Sequence, residues 1–159
     1  MKSIDKWFEE YGESHQNSLN KKIHWICIPL IVFSLIGLLW TVPNHLLLKI
    51  YSGKFSILFN WATLFIVVVI FYYLVLSYKI AIGMFIFSLT ILYLSYFIDK
   101  SSIELWKLSF LVFILSWTGQ FVGHKIEGKK PSFFKDIQFL FIGPAWLLGF
   151  IYRKYNIKY

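Results

Sequence analysis

Residues 23–42 read IHWICIPLIVFSLIGLLWTV, an almost wholly apolar run. An α-helix needs about 20 such residues to cross the hydrocarbon core of a bilayer. Pro43 and Asn44 end the run, because proline cannot continue a helix and asparagine favours turns. The segment therefore predicts the first transmembrane helix of the chain.

Three more apolar runs follow, at residues 55–78, 80–98 and 105–122, with only short polar joints between them. The chain of 159 residues is 58% hydrophobic and 21% aromatic, whereas soluble domains are nearer half apolar. A water-soluble core cannot hide this much apolar surface. We expect an all-α integral membrane bundle that forms a single domain over residues 1–159.

The polar N-terminal segment, residues 1–20, predicts an amphipathic helix at the membrane interface. Ile4, Trp7, Phe8 and Tyr11 recur at helical spacing and form one apolar stripe. Asn17, Ser18 and Asn20 follow, and such side chains accept hydrogen bonds from the free amides that begin a helix. We therefore expect a break in this stretch before the first span.

A fifth apolar run, residues 137–152, is short and contains Gly143 and Pro144, which predicts a re-entrant or interfacial segment. With four crossings, 12 of the 16 Lys and Arg residues lie on one side, against 9 with five crossings. Basic residues concentrate in cytosolic loops. We therefore expect four spans with both termini cytosolic, in a bacterial inner membrane or, in a eukaryote, the endoplasmic reticulum.

The basic balance of the chain does not indicate a nucleic-acid-binding protein. The net charge is +8, but the Lys and Arg residues fall between apolar runs, where they anchor the chain to anionic membrane lipid. The single cysteine, Cys27, lies within the first span. It excludes a disulfide framework and a cysteine-based zinc site, and it predicts a buried thiol.

Three of the four histidines fall at the cytosolic boundary in this topology: His15, His24 and His124, while His45 lies on the far side. His15 and His24 are nine residues apart, which places them on opposite faces of any continuous helix. They can share a ligand only across the expected break. Interfacial histidines bonded to backbone or lipid are the simpler alternative.

Gln120, His124 and Glu127 follow one another on one face at the end of the fourth span. Helix capping with a Glu127–Lys130 ion pair would explain them structurally. Combined with the N-terminal histidines, they give imidazoles plus a carboxylate, the ligand mix of non-haem Fe(II) sites, which zinc or manganese would also fit. Four scattered histidines are too few for the histidine boxes of a membrane di-iron centre. Tyr and Trp residues near span ends predict interfacial anchors.

Two segments carry a family resemblance: Tyr11–Pro29, YGESHQNSLNKKIHWICIP, and Trp117–Trp146, WTGQFVGHKIEGKKPSFFKDIQFLFIGPAW. They resemble a family of small membrane proteins whose fungal founder is a 2-hydroxy fatty acid dioxygenase. The resemblance implies Fe(II) as cofactor and an α-oxidation that removes one carbon with molecular oxygen. It also implies the metal ligands His15, His24 and His124, with Asn20 and Gln120 beside them.

The chain departs from the fungal pattern at two positions. The fungal carboxylate lies four residues after the last histidine, whereas Glu127 lies three after His124, so the resemblance leaves two roles open for Glu127: a metal ligand, or a group that orients the ligands. Lys100 stands where the fungal form has a further histidine.

We therefore expect an Fe(II)-dependent dioxygenase that acts on 2-hydroxy fatty acids dissolved in membrane lipid. His15, His24 and His124 would be the metal ligands, with Gln120 and Glu127 as further catalytic residues. Two other classes stay open: a non-enzymatic lipid-binding or scaffold protein, and a membrane hydrolase that uses zinc-bound water.

Overall fold

The computed structural model describes residues 2–51, 53, 54, 56–128 and 133–159, and for residues 133–138 it describes the backbone alone. Within these ranges the chain forms seven α-helices, one short 3₁₀ helix and no strand, which confirms the all-α prediction. The helices are α1 Ile4–Glu13, α2 Ser18–Thr41, α3 His45–Ile50, α4 Trp61–Leu76, α5 Tyr78–Asp99, α6 Leu105–Glu127 and α7 Phe133–Lys154, and the 3₁₀ helix is Ser56–Leu58.

Three of these helices, α2, α5 and α6, are long and apolar enough to span a membrane. The second predicted span, residues 55–78, contains a shorter helix of 16 residues, α4. It begins late because the Asn60 side chain accepts a hydrogen bond from the Thr63 amide at 3.0 Å and caps the helix there. At about 1.5 Å per residue, α4 is shorter than the hydrocarbon core. The count of four spans stays a prediction.

The predicted break before the first span is confirmed. α1 ends at Glu13, and α2 begins at Ser18, several residues earlier than the apolar run alone indicates. The Asn17 side chain caps α2 by accepting hydrogen bonds from the amides of Leu19 at 2.9 Å and Asn20 at 3.3 Å. His24 therefore lies in the second turn of α2 rather than at its beginning.

The most extensive helix pair is α2 with α6, which run antiparallel. Glycines allow the two backbones to approach closely, as in other membrane helix pairs. A Cβ on Gly119 of α6 would lie 2.6 Å from the Cys27 sulfur, and a Cβ on Gly37 of α2 would overlap the Ser109 hydroxyl. Cys27 is buried at this contact, as predicted. These contacts fix the register of α2 against α6.

The apolar stripe of α1 is covered by protein. Ile4, Phe8 and Tyr11 are buried, and Phe8 packs against Gly149 of α7 closely enough that a Cβ there would lie 2.7 Å from its ring. The stripe thus fastens α1 to α7, and the placement of residues 1–20 at the membrane surface stays a prediction.

The last apolar run forms the continuous helix α7, with Pro144 inside it. The helix passes through both Gly143 and Pro144 without a break. Gly143 packs closely, because a Cβ there would lie 3.0 Å from the Tyr11 hydroxyl oxygen and 3.2 Å from the Ile28 side chain. The re-entrant path itself stays a prediction.

The C-terminal end of α7 lies beside the turn between α4 and α5. The Tyr152 hydroxyl donates a hydrogen bond to the Lys79 carbonyl at 2.8 Å, and the Lys79 ammonium donates to the Lys158 carbonyl at 2.6 Å. Tyr159 packs edge-on against Phe8, with ring centroids 5.7 Å apart. The last residues therefore contact α1 as well as the turn.

Candidate metal centre

Three histidines from separate parts of the chain meet at one end of the bundle. His15 lies in the break between α1 and α2, His24 in α2 and His124 in α6. One potential ligand atom from each lies within 4.8 Å of those of the other two. His45, at the start of α3 beyond the other end of α2, is exposed. The structure therefore brings together the three histidines that were predicted as ligands and leaves the fourth apart.

The break is what allows His15 and His24 to meet. Its backbone turns back on α1, with the His15 amide donating to the Gly12 carbonyl at 2.9 Å. The ring centroids of His15 and His24 are then 4.3 Å apart, although an uninterrupted helix would point them in opposite directions.

Backbone hydrogen bonds fix the tautomers of both rings. The Nδ1 atom of His15 is 2.6 Å from the Tyr11 carbonyl oxygen, and that of His24 is 3.0 Å from the Asn20 carbonyl oxygen. Because a carbonyl can only accept, each Nδ1 carries the proton and each Nε2 presents a lone pair. Both Nε2 atoms are buried and find no hydrogen-bond partner among the residues that the structure describes. Buried, oriented imidazole lone pairs fit a transition-metal ion.

The environment of His15 favours its neutral form. Burial lowers the pKa of His15 from its usual value near 6.5 to about 4, against an opposing effect of its hydrogen bond to the Tyr11 carbonyl. The Tyr11 ring stacks on the imidazole at 4.1 Å with an interplanar angle of 9°. Metal ions bind neutral imidazole, so His15 is ready to bind one at neutral pH.

Glu127 is directed at the break rather than at the cluster of imidazoles. Its two carboxylate oxygens accept hydrogen bonds from the Gln16 amide at 2.7 Å, the Asn17 amide at 2.9 Å and the Asn20 side-chain amide at 2.9 Å. A carboxylate is favoured at this helix N-terminus. Glu127 thereby ties the segment that carries His15 to the end of α6. The alternative partner, Lys130, lies outside the described residues.

We predict that Glu127→Gln lowers metal affinity about tenfold to a hundredfold, the usual range for groups that orient ligands. The amide side chain would set an N–H group against backbone N–H donors and loosen the break. Glu104→Gln is the matched control, since Glu104 lies at the other end of α6 in an exposed ion pair with Lys107. Metal titration of the purified variants measures the affinities. Equal affinities of Glu127→Gln and Glu104→Gln would contradict the inference that Glu127 holds the His15 segment in place.

A narrow cavity of ≈ 50 Å³ adjoins the histidines. Gln120 is 7% exposed and lines it together with His15 and His124. Gln120 lies one turn before His124 on α6, so these two residues of the predicted polar stripe face the cluster, whereas Glu127 does not. The catalytic role of Gln120, like that of Glu127, stays a proposal.

Two aromatic residues, Tyr11 and Trp117, lie in the cavity wall, a position that the sequence did not predict for either. Tyr11 precedes His15 by one helical turn, and Trp117 precedes His124 by two, so both share a face with a histidine. This helical spacing to a histidine was the sequence signal that could have placed both residues at the site. The Trp117 indole N–H is buried with no partner in the described part of the chain.

Comparison with known proteins identifies a family. The model of a family described as 2-hydroxy-palmitic acid dioxygenase Mpo1-like matches residues 1–155, which include all three histidines of the cluster. No curated protein and no solved structure matches the chain.

Proposed function

This chain belongs to the Mpo1-like family, and on that basis we propose that it is an Fe(II)-dependent dioxygenase that removes one carbon from 2-hydroxy fatty acids. The observation that carries the proposal is the pair of buried Nε2 atoms, on His15 and His24, that face His124 with their tautomers set for metal binding.

His15, His24 and His124 would hold the metal. Three protein ligands leave coordination positions open, as in non-haem iron oxygenases. Bound Fe(II) would supply the redox chemistry through which molecular oxygen reacts with the 2-hydroxy acid. The chain's own contribution is to keep His15 neutral and to orient and bury the imidazoles of His15 and His24.

Gln120 and Glu127 have different roles in this proposal. The Gln120 amide lines the cavity beside two of the histidines and offers N–H donors to a carboxylate or hydroxyl oxygen of the substrate. Glu127 acts on the geometry of His15 through the backbone amides that it binds. It is thus a positioning residue.

Four crossings, by α2, α4, α5 and α6, fit this function. The hydrogen bond between Lys79 and Lys158 puts the chain's end beside the α4–α5 turn, and the bonds between Glu127 and the start of α2 join the end of α6 to the same end of the bundle. Both ends of the chain and the histidines would face the cytosol, where the basic residues concentrate. The polar head of a membrane-dissolved acid lies at that depth.

We predict that a cysteine at Tyr159 is labelled by a membrane-impermeant maleimide only from the cytosolic side. Lys49→Cys, in α3, should be labelled only from the opposite side, because α2 separates it from the histidines. The native thiol of Cys27 is buried and gives little background. Labelling of the two variants from the same side would contradict the four-span topology.

Iron content and oxygen consumption test the function. Protein purified without oxygen should contain stoichiometric iron, and it should consume oxygen with 2-hydroxypalmitate but not with palmitate. Stoichiometric zinc without oxygen uptake would indicate the hydrolase instead. A metal-free protein that binds lipid without turnover would indicate the scaffold, and either result contradicts the proposal.

A further inference from the structure

A second cavity adjoins the narrow cavity at the histidines. The second cavity, of ≈ 40 Å³, lies among α2, α4, α5 and α7. The two share part of their wall: Ile31, Val32, Leu140 and Pro144. Pro144 adds an apolar ring and has no backbone N–H to present. Apolar side chains of α2 and α7 therefore line both the histidine cavity and the cavity further inwards.

A wide groove among α1, α4 and α7 adjoins the second cavity. The groove has a volume of ≈ 380 Å³ and shares Phe65, Val69 and Phe141 with the second cavity. The Phe65 and Phe141 rings, 6.2 Å apart, flank this passage. Val68, on the outer wall, is 61% exposed, so the groove opens on the outer face of α4.

We propose that these three spaces form one channel for a single acyl chain. The carboxyl end would lie at His15 and His124, the chain would pass between α2 and α7, and the tail would leave through the groove beside α4 into the lipid. The inference rests on the proposed function and deepens it, since it assigns the route of the substrate's chain.

The chemistry of the channel's walls and of its two ends indicates which ligand it would hold. One end has imidazoles and the Gln120 amide, and the path beyond them is lined almost wholly by aliphatic and aromatic side chains. The other end opens beside exposed apolar residues of an apolar helix, such as Val68 and Phe71. A ligand with one polar end and one long, narrow apolar chain matches this shape.

A second groove, of ≈ 130 Å³ among α2, α5 and α7, is the competing route, with Phe87 and Leu148 in its wall. Within the described residues it shares Ile28 and Pro144 with the histidine cavity. The α4 route is favoured because both of its junctions have broader shared walls and its groove is larger.

Val32→Trp tests the first junction, because an indole there would fill the passage between the first two cavities. The variant should retain metal and turn over 2-hydroxyoctanoate, while its KM for 2-hydroxypalmitate rises at least tenfold. Val67→Trp is the matched control, since Val67 lies on the exposed face of α4. A Val32→Trp protein that loaded metal and processed both acids as the control does would overturn the channel.

Photolabelling tests the route without requiring turnover. Palmitic acid with a diazirine at its last carbon should label Phe65, Val69 or Phe141 in the wild-type protein, and excess unlabelled 2-hydroxypalmitate should suppress that labelling. Labelling at Phe87 or Leu148, or none above a detergent background, would overturn the inference.

Failure of the proposed channel and failure of the proposed function would give different results. Competed labelling beside α4 in a protein that consumes no oxygen with any 2-hydroxy acid would sustain the channel and overturn the function. Iron-dependent turnover with labelling beside α5 would sustain the function and overturn the channel. If Val32→Trp fails to retain metal, the wild-type labelling pattern decides.

Discussion

Replacing His15, His24 or His124 with alanine is expected to abolish metal retention and turnover in each case. A site with three protein ligands loses a large share of its coordination with any one of them, and even groups that only orient ligands account for about tenfold to a hundredfold in affinity. We therefore expect a loss of metal affinity greater than about a hundredfold. Metal analysis after gel filtration, together with oxygen consumption, measures both effects.

His45→Ala is the matched control, because His45 is exposed at the start of α3, apart from the cluster. It should leave metal content and turnover unchanged. If His45→Ala lost the metal and His15→Ala kept it, the proposed centre would have to be abandoned.

The second prediction concerns the helix pair that carries two of the three histidines. Gly37→Ala should lower the free energy of unfolding by about 1–3 kcal/mol, because the new methyl group would overlap the Ser109 hydroxyl across the α2–α6 contact. Unfolding in detergent, followed by circular dichroism, measures the loss.

Ser109→Ala should restore most of that loss in the double variant. The Ser109 hydroxyl is buried and has no hydrogen-bond partner within the described residues, so its removal sacrifices no bond. The remaining Ser109 Cβ would then be 3.2 Å from the new methyl group, a close contact that small shifts relieve. A double variant no more stable than Gly37→Ala would show that α2 and α6 do not pack as described.

The sequence predicted helices well where apolar runs were long, but it predicted their ends less well. The α2 helix starts earlier than its apolar run because the Asn17 side chain caps it, and hydrophobicity does not record a cap. The α4 helix starts later for the same reason, at Asn60. The glycine and proline of the last apolar run did not reveal that α7 is continuous through both and packs against Tyr11 of α1 and Ile28 of α2 at Gly143.

The histidine cluster was predictable because helix geometry left the break as the one place where His15 and His24 can meet. The role of Glu127 could not be predicted from the sequence. Its partners are backbone amides more than a hundred residues away, and the spacing of residues along one helix gives no information on such a contact. Tyr11 was predicted as part of the apolar stripe of the N-terminal helix, and Trp117 had no predicted role of its own. In a chain that is 21% aromatic, membrane interfaces and cavity walls use the same residue types.

The position of Cys27 allows its reactivity to report when α2 and α6 separate. It is the single cysteine of the chain, and its sulfur is buried where α2 meets Gly119 of α6. An alkylating reagent reaches it when those two helices part. The alkylation rate of the unmodified protein, with and without metal, therefore measures the free energy of opening at the contact next to the histidines, with no engineered label.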